Sequence, residues 1–265
     1  TTRTMLERVA TRLSKSSINI HRAYLDVIGD GENGSITLLG FVVQGPDNRA
    51  IDPSSPLWAA VRRDLIRIKW LDERTLAMAY KHADLNLPKA EVAVALADLV
   101  HQVLVKVNPY AFNPDRLGRI MERNVGRVAK IVDLFMERFE PVHPLLDATF
   151  AQRAEALSKD IDSAVDGDDA RTALQTMLKA VQAVLRTNAY LDHRSGFAVR
   201  LDPALLATAE RSELPYGVFF IHGLSFNGFH VRFRDIARGG VRAIRTTGAD
   251  QHAREAERLY DEAYN

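Results

Sequence analysis

Between Tyr216 and Arg245 the chain reads YGVFFIHGLSFNGFHVRFRDIARGGVRAIR, and this stretch leaves little choice of local fold. An apolar, aromatic run meets a turn from Gly223 to Gly228 and returns as Phe229-His230-Val231-Arg232-Phe233-Arg234. The return alternates with period two, so Arg232 and Arg234 share one face of a strand while Val231 and Phe233 share the other. That pattern commits the region to a β-hairpin. It continues into Ala237-Arg238-Gly239-Gly240-Val241-Arg242, where two glycines between arginines let backbone approach a ligand without Cβ interference, beside two guanidinium forks. Such a combination suits a carboxylate or phosphate, held jointly by N–H groups and a bidentate arginine. A solvated basic loop is the competing reading, because Arg-Gly-Gly also occurs in flexible basic tracts. The capping candidates in Thr246-Thr247-Gly248-Ala249-Asp250, followed by a helical pattern to Asn265, favour an ordered setting of strand, turn, strand, loop and helix.

From Tyr216 to Asn265 the sequence resembles the start of the catalytic region of the large NAD-dependent glutamate dehydrogenases. The specific part is His230 to Arg242 (HVRFRDIARGGVR), and a weaker likeness extends upstream through Arg186-Thr187-Asn188-Ala189-Tyr190 and Arg200-Leu201-Asp202-Pro203. In that family the matching loop reads Lys-Gly-Gly-aliphatic-Arg, and its lysine helps hold a carboxylate of the dicarboxylic substrate. Here Arg238 stands in the lysine's place and brings a larger fork to the same charge-assisted contact. The resemblance implies an α/β substrate domain beginning near residue 193 and the oxidative deamination of L-glutamate to 2-oxoglutarate and ammonia, with reduction of NAD. It implies Arg238 as a carboxylate clamp, with Gly239 and Gly240 allowing close approach. Arg242 is a second candidate, whose alternative is to orient the loop or form an intersubunit salt bridge. The family's catalytic lysine and its dinucleotide domain lie beyond this helix, and none of the chain's eight lysines follows Lys179. No catalytic or NAD-contacting residue is therefore assigned here, and the chain alone is expected not to turn over glutamate. A homo-oligomeric parent is the implied assembly.

Composition narrows the alternatives. A net charge of +1 gives no argument for nucleic acid or a membrane surface as partner. Without cysteine the chain has no disulfide, thiolate zinc site or cysteine nucleophile, which fits a reducing cytoplasm. The sequence opens Thr-Thr-Arg-Thr and stops within a helical pattern, so it reads as an internal piece of a longer polypeptide.

In order along the chain, residues 1–13 predict an amphipathic helix, with Met5, Val9 and Leu13 on one side. Two strand-like runs, Ser17 to Ile28 and Ser35 to Val43, then flank a turn that is formally G-x-G-x-x-G. A dinucleotide fingerprint needs a helix after its third glycine; a β-branched strand follows here, and Asp30 and Glu32 would repel phosphate, so the motif is a hairpin turn. Ser55 and Pro56 predict the cap and first residue of a helix to Trp70, burying Leu57, Val61, Leu65 and Ile68. Strand, strand, helix over this span resembles part of a ferredoxin-like or ACT-type module, a class that often binds amino acids, although a platform that merely packs fits the same pattern.

From Asp72 to Tyr190 the pattern is helical. The Ala/Val/Leu-rich run Lys89 to Val107 is interrupted by Glu91, Asp98, His101, Gln102 and Lys106, which makes it a buried helix rather than a membrane span. One helix is expected from Asn113-Pro114 to about Glu140, its polar face carrying arginines interleaved with acids, which favours a solvated or interdomain face over RNA. Two more follow, Leu145 to Asp162 and Asp168 to Tyr190. His222 and His230 lack a third ligand and a supporting carboxylate in sequence, so they read as structural rather than metal-binding.

The fold expected is α+β in three parts: a partial ACT-like module over 1–71, a helical region over 72–192, and the start of a substrate domain over 193–265. Its ligand is expected to be a small molecule, glutamate or 2-oxoglutarate. A regulatory or oligomerisation segment that senses an amino acid without taking part in catalysis is the other functional reading.

Overall fold

The computed structural model describes residues 2–29, 36–206, 214–232 and 240–243, with backbone only for Thr2, Asp47 and 240–243. The chain forms two compact units divided between Lys69 and Trp70.

The first unit contains α1 (Thr2–Lys15), β1 (Asn19–Ile28), β2 (Ile36–Gln44) and α2 (Pro56–Arg67). β1 and β2 are antiparallel, with Asn19 opposite Gln44 and Ile28 opposite Ile36. A strand, not a helix, thus begins at Ile36, as the hairpin reading of the glycine motif requires. At α2 the Ser55 hydroxyl accepts from the Trp58 N–H at 3.2 Å and Pro56 occupies the first turn, so two sequence signals agree on one start. Leu13, Ile18 and Val61 form the buried centre, with Val9, Phe41, Val43, Leu57 and Leu65 packed around it. Arg12 clamps the buried Asp64 through Nε at 2.7 Å and Nη2 at 2.6 Å. On the other face of the hairpin Tyr24, Ile28, Ile36, Leu38 and Val42 are exposed.

The second unit begins with six helices: α3 (Glu73–Lys81), α4 (Leu87–Leu104), α5 (Pro114–Arg123), α6 (Val125–Arg138), α7 (Asp147–Ala164) and α8 (Asp168–Gln182). Asp72, Asn86 and Asn113 cap α3, α4 and α5 by accepting from the N–H three residues on, at 2.8, 3.2 and 2.9 Å. The strands β3 (Val184–Thr187), β4 (Gly196–Leu201), β5 (Gly217–Gly223), β6 (Asn227–Arg232) and β7 (Gly240–Ala243) follow as an antiparallel meander in chain order. α4 is apolar nearly all round because it packs against α3, α5, α6, α8 and the sheet. No described helix is long and apolar enough to cross a membrane.

One sheet face joins the helical core. Phe197, Val199, Leu201, Val218, Phe220 and Phe229 are buried together with Leu96, Val100, Phe135 and Leu178. The Phe135 and Phe197 rings lie 5.8 Å apart, and each such buried side chain contributes roughly 2–3 kcal/mol. The fold is mixed helix and antiparallel sheet, as an α+β class requires.

Two local expectations need correction. The single helix over 114–140 is broken at Asn124 (φ −117°, ψ 27°), which ends α5 and precedes α6 while its side-chain amide donates to the Ile120 carbonyl at 2.9 Å. The helix expected to reach Tyr190 stops at Gln182. Val184-Leu185-Arg186-Thr187 forms the edge strand β3 instead, so the stretch from 72 to 190 is not wholly helical.

Candidate carboxylate-binding site

β5 and β6 are joined by Leu224-Ser225-Phe226, with the Gly223 N–H donating to the Phe226 carbonyl at 2.8 Å. The return strand begins at Asn227, two residues before the alternation of apolar and basic residues starts. Register then fixes the faces. Phe220 pairs with Phe229 and Val218 with Val231, both on the helix side, while Phe219 pairs with His230 and Gly217 with Arg232 on the other. The predicted separation of Val231 from Arg232 is therefore observed; Phe233 and Arg234 lie outside the described residues.

The outer face carries a cross-strand row that sequence reading did not assemble. Arg186 of β3 pairs with Arg200 of β4, Arg200 with Phe219 of β5, and Phe219 with His230 of β6. The Arg200 guanidinium carbon lies 5.9 Å from the Phe219 ring centre, within cation–π range. The Phe219 and His230 rings are 6.2 Å apart. Burial lowers the His230 pKa below its ordinary value, and the nearby Arg232 charge adds to the effect. Gly217 belongs to the same arrangement, since a Cβ there would press on the Phe219 ring at 3.2 Å. Arg200 and His230 flank the Phe219 ring, and Arg186 and Arg232 lie on neighbouring register positions of the same face, a distribution of cations suited to anions.

β6 leads from Arg232 towards the proposed clamp. Gly240 opens β7 opposite Val231, and Arg242 sits opposite Phe229. Arg238 and Gly239 lie outside the described residues, as does the helix expected from Asp250 onward.

At the opposite end of β6, about 17 Å away for six residues of strand, lies a buried polar network. Arg74 grips Asp98 of α4 bidentately, Nη1 to Oδ1 at 2.8 Å and Nη2 to Oδ2 at 2.7 Å. The Asn227 amide donates to Asp98 Oδ2 at 2.8 Å and receives the Gln102 amide on its own oxygen at 2.7 Å. His222 Nδ1 lies 3.2 Å from the same carboxylate but misses hydrogen-bond geometry, so it acts on Asp98 by its charge when protonated. Burial pushes the Asp98 carboxyl up, but the Arg74 hydrogen bonds, with a contribution from His222, outweigh it and hold the group well below the usual carboxylate range. Asp98 is thus a carboxylate neighbour of His222 that the local sequence does not supply.

A second ion pair ties the sheet to α4. Arg194 donates to Glu91 through Nη2 at 2.7 Å, with both side chains almost wholly buried, and through Nε to the Asn188 carbonyl at 2.9 Å. Asn188 in turn accepts the Ala198 N–H at 2.8 Å and donates to the Gly196 carbonyl at 3.2 Å, so its side chain extends the β3–β4 ladder by one step. Several helical arginines are occupied as well: Arg116 pairs with Asp169, Arg127 with Asp160 and Arg153 with Glu137. Among the described residues no cluster of three His, Asp or Glu side chains is arranged to hold a metal.

The comparisons with known proteins fall on this region. A family model described as "Bacterial NAD-glutamate dehydrogenase, catalytic domain" matches residues 156–250, which hold the second half of α7, all of α8 and the five-stranded meander. The chain is 46% identical over 82 residues to "Glutamate dehydrogenase 2" of Dictyostelium discoideum, 31% of this chain and 8% of that protein. It is 40% identical over 92 residues to the "NAD-specific glutamate dehydrogenase" of Saccharomyces cerevisiae, 34% of this chain and 8% of that protein. With the protein of that name from Mycobacterium tuberculosis it shares 29% identity over 180 residues, 61% of this chain and 11% of the relative. The matched segments span about a tenth of the curated relatives' length (8% to 11%). The resemblance read from the sequence is borne out.

Proposed function

We propose that this chain is part of an NAD-dependent glutamate dehydrogenase and contributes the edge of its substrate site. The observation that carries the reading is the family match over the meander whose β6–β7 connection holds Arg238 and Gly239. In this reading Arg238 binds one carboxylate of glutamate or 2-oxoglutarate, Gly239 and Gly240 let the substrate approach the backbone, and Arg242 is a secondary contact. The cations Arg186, Arg200 and Arg232 on one sheet face support the assignment by biasing that face towards anions. NAD supplies the hydride acceptor in such an enzyme. Both described sheets are antiparallel, whereas a dinucleotide crevice needs parallel strands feeding helix N-termini. The described residues do not fit NAD, and its site is assigned to other parts of the protein.

The test is glutamate-dependent NAD reduction by the full-length protein, wild type against Arg238→Ala. Loss of a charge-assisted contact raises KM for glutamate about tenfold to a hundredfold while leaving NAD affinity unchanged. An inactive wild type overturns the dehydrogenase reading, and an unchanged KM overturns the clamp.

The exposed apolar face of the β1–β2 hairpin favours an additional role for the first unit. As an ACT-like module it serves assembly or senses an amino acid. Saturable amino-acid binding that survives Arg238→Ala is the signature of that role.

A further inference from the structure

Among α3, α4 and α5 lies a cavity of about 220 Å3 that the contacts described so far leave unused. Its walls are apolar, formed chiefly by Met78, Val94, Ala97, Leu117 and Met121. A Cβ added at Gly118 would meet nothing within 4 Å, so the wall at this point is open rather than loosely packed. Voids of this size forfeit dispersion contacts that close-packed interiors otherwise keep.

Two features of the lining define what fits. His101 donates Nδ1–H to the Phe112 carbonyl at 2.7 Å, because a carbonyl only accepts. That bond fixes the tautomer and makes Nε2 of the neutral ring an acceptor, with no partner among the described residues. The charges on the lining, by contrast, are already matched in pairs: Arg74 with Asp98, and Lys81 with Glu122 at 2.9 Å. A charged ligand would have to break a pair, whereas a neutral one would not. The Lys81–Glu122 pair is half exposed or more on both sides and is weak enough to open as a portal.

We propose that this cavity binds a small neutral molecule with a planar apolar body and one N–H or O–H donor directed at His101 Nε2. Benzene occupies an engineered apolar cavity of about 150 Å3, and scaling by volume gives a body of about nine non-hydrogen atoms here. Met78 and Met121 supply adaptable, polarisable contacts to such a ring. The site stands independently of the dehydrogenase reading.

Indole, with nine ring atoms and one N–H, is the probe, and indene is its donor-free counterpart. Each is titrated into the 265-residue chain by calorimetry and by 13C-methyl methionine spectra. Indole binds at one site and shifts the Met78 and Met121 methyls but not those of Met5 and Met136. Indene binds about fivefold to tenfold more weakly, having lost one hydrogen bond. Gly118→Leu fills the cavity and lowers indole affinity at least tenfold. No saturable indole binding, saturation without movement of Met78 and Met121, or unchanged affinity in folded Gly118→Leu overturns the site. Equal affinity of indole and indene overturns the role of His101. If Gly118→Leu does not fold, the methionine shifts of the wild type decide the question alone.

Discussion

Asp98 and Asn227 stand 129 residues apart in sequence and are joined by a 2.8 Å hydrogen bond, carboxylate of α4 to side-chain amide of β6. Through this bond the central helix holds the first residue of the strand that leads to the Arg-Gly-Gly loop. With Arg74 and Gln102 completing the set, both oxygens of Asp98 and both ends of the Asn227 amide are used. A buried network satisfied in this way favours one register of the β5–β6 hairpin over its neighbours.

Asp98→Asn therefore destabilises the protein at neutral pH by about 2 kcal/mol, less than the roughly 3–5 kcal/mol of a fully buried pair because the Arg74 side chain is 41% exposed. The folded-state pKa of Asp98 is depressed, so its contribution is complete well above the ordinary aspartate value of about 3.9 and is lost progressively as pH falls below that value towards the lower folded-state pKa. Urea unfolding of wild type and variant from pH 7 down to pH 3 checks this. The two curves converge on acidification, and a gap that stays constant rules the linkage out.

Arg194→Met removes the cation that grips the buried Glu91 and lowers stability by about 3–5 kcal/mol. The double change Glu91→Leu with Arg194→Met recovers much of that loss, because removing both charges also removes the desolvation cost. Thermal denaturation of the two single variants and the double variant closes the cycle. An additive double variant refutes the coupling.

Asn188→Ala removes the groups that meet the Ala198 N–H and the Gly196 carbonyl in a buried setting. Leaving buried polar groups unmet costs about 2 kcal/mol, and amide exchange at Ala198 accelerates. Unchanged exchange there would show that the side chain does not carry the ladder.

Mixed with glutamate and NAD, the 265-residue chain by itself gives no NADH absorbance. None of its lysines follows Lys179, and its described sheets offer no dinucleotide crevice. Turnover by the purified chain contradicts the division of labour proposed for the parent protein.

Legibility followed the range of the interactions. Ser55 with Pro56 marked the start of α2 because a cap is a contact between residues three apart. Period-two alternation in the return strand placed Val231 and Arg232 on opposite faces without knowledge of any partner. Local signals failed where the chain offers none. Val184 to Thr187 follows α8 with no glycine or proline, and the edge strand there is decided by pairing with β4. Glu91, Asp98 and Gln102 read as polar interruptions of an apolar helix, since Arg194 and Asn227, which bond them, lie more than a hundred positions away and even Arg74 is 24 residues from Asp98. Arg186 and Arg200 were legible only as fragments of a family likeness. The pairing of Arg186 with Arg200, and of Arg200 with Phe219, is a property of register.

The unbroken order of the meander governs how the molecule is born. Each strand pairs with the one synthesised just before it, so the sheet can zip forward as the ribosome releases it. α4 has no such luck with timing. Arg74 precedes Asp98 and can pair with it at once, but Glu91 emerges long before Arg194 and Asp98 long before Asn227, so α4 completes its contacts only after β6 has been made.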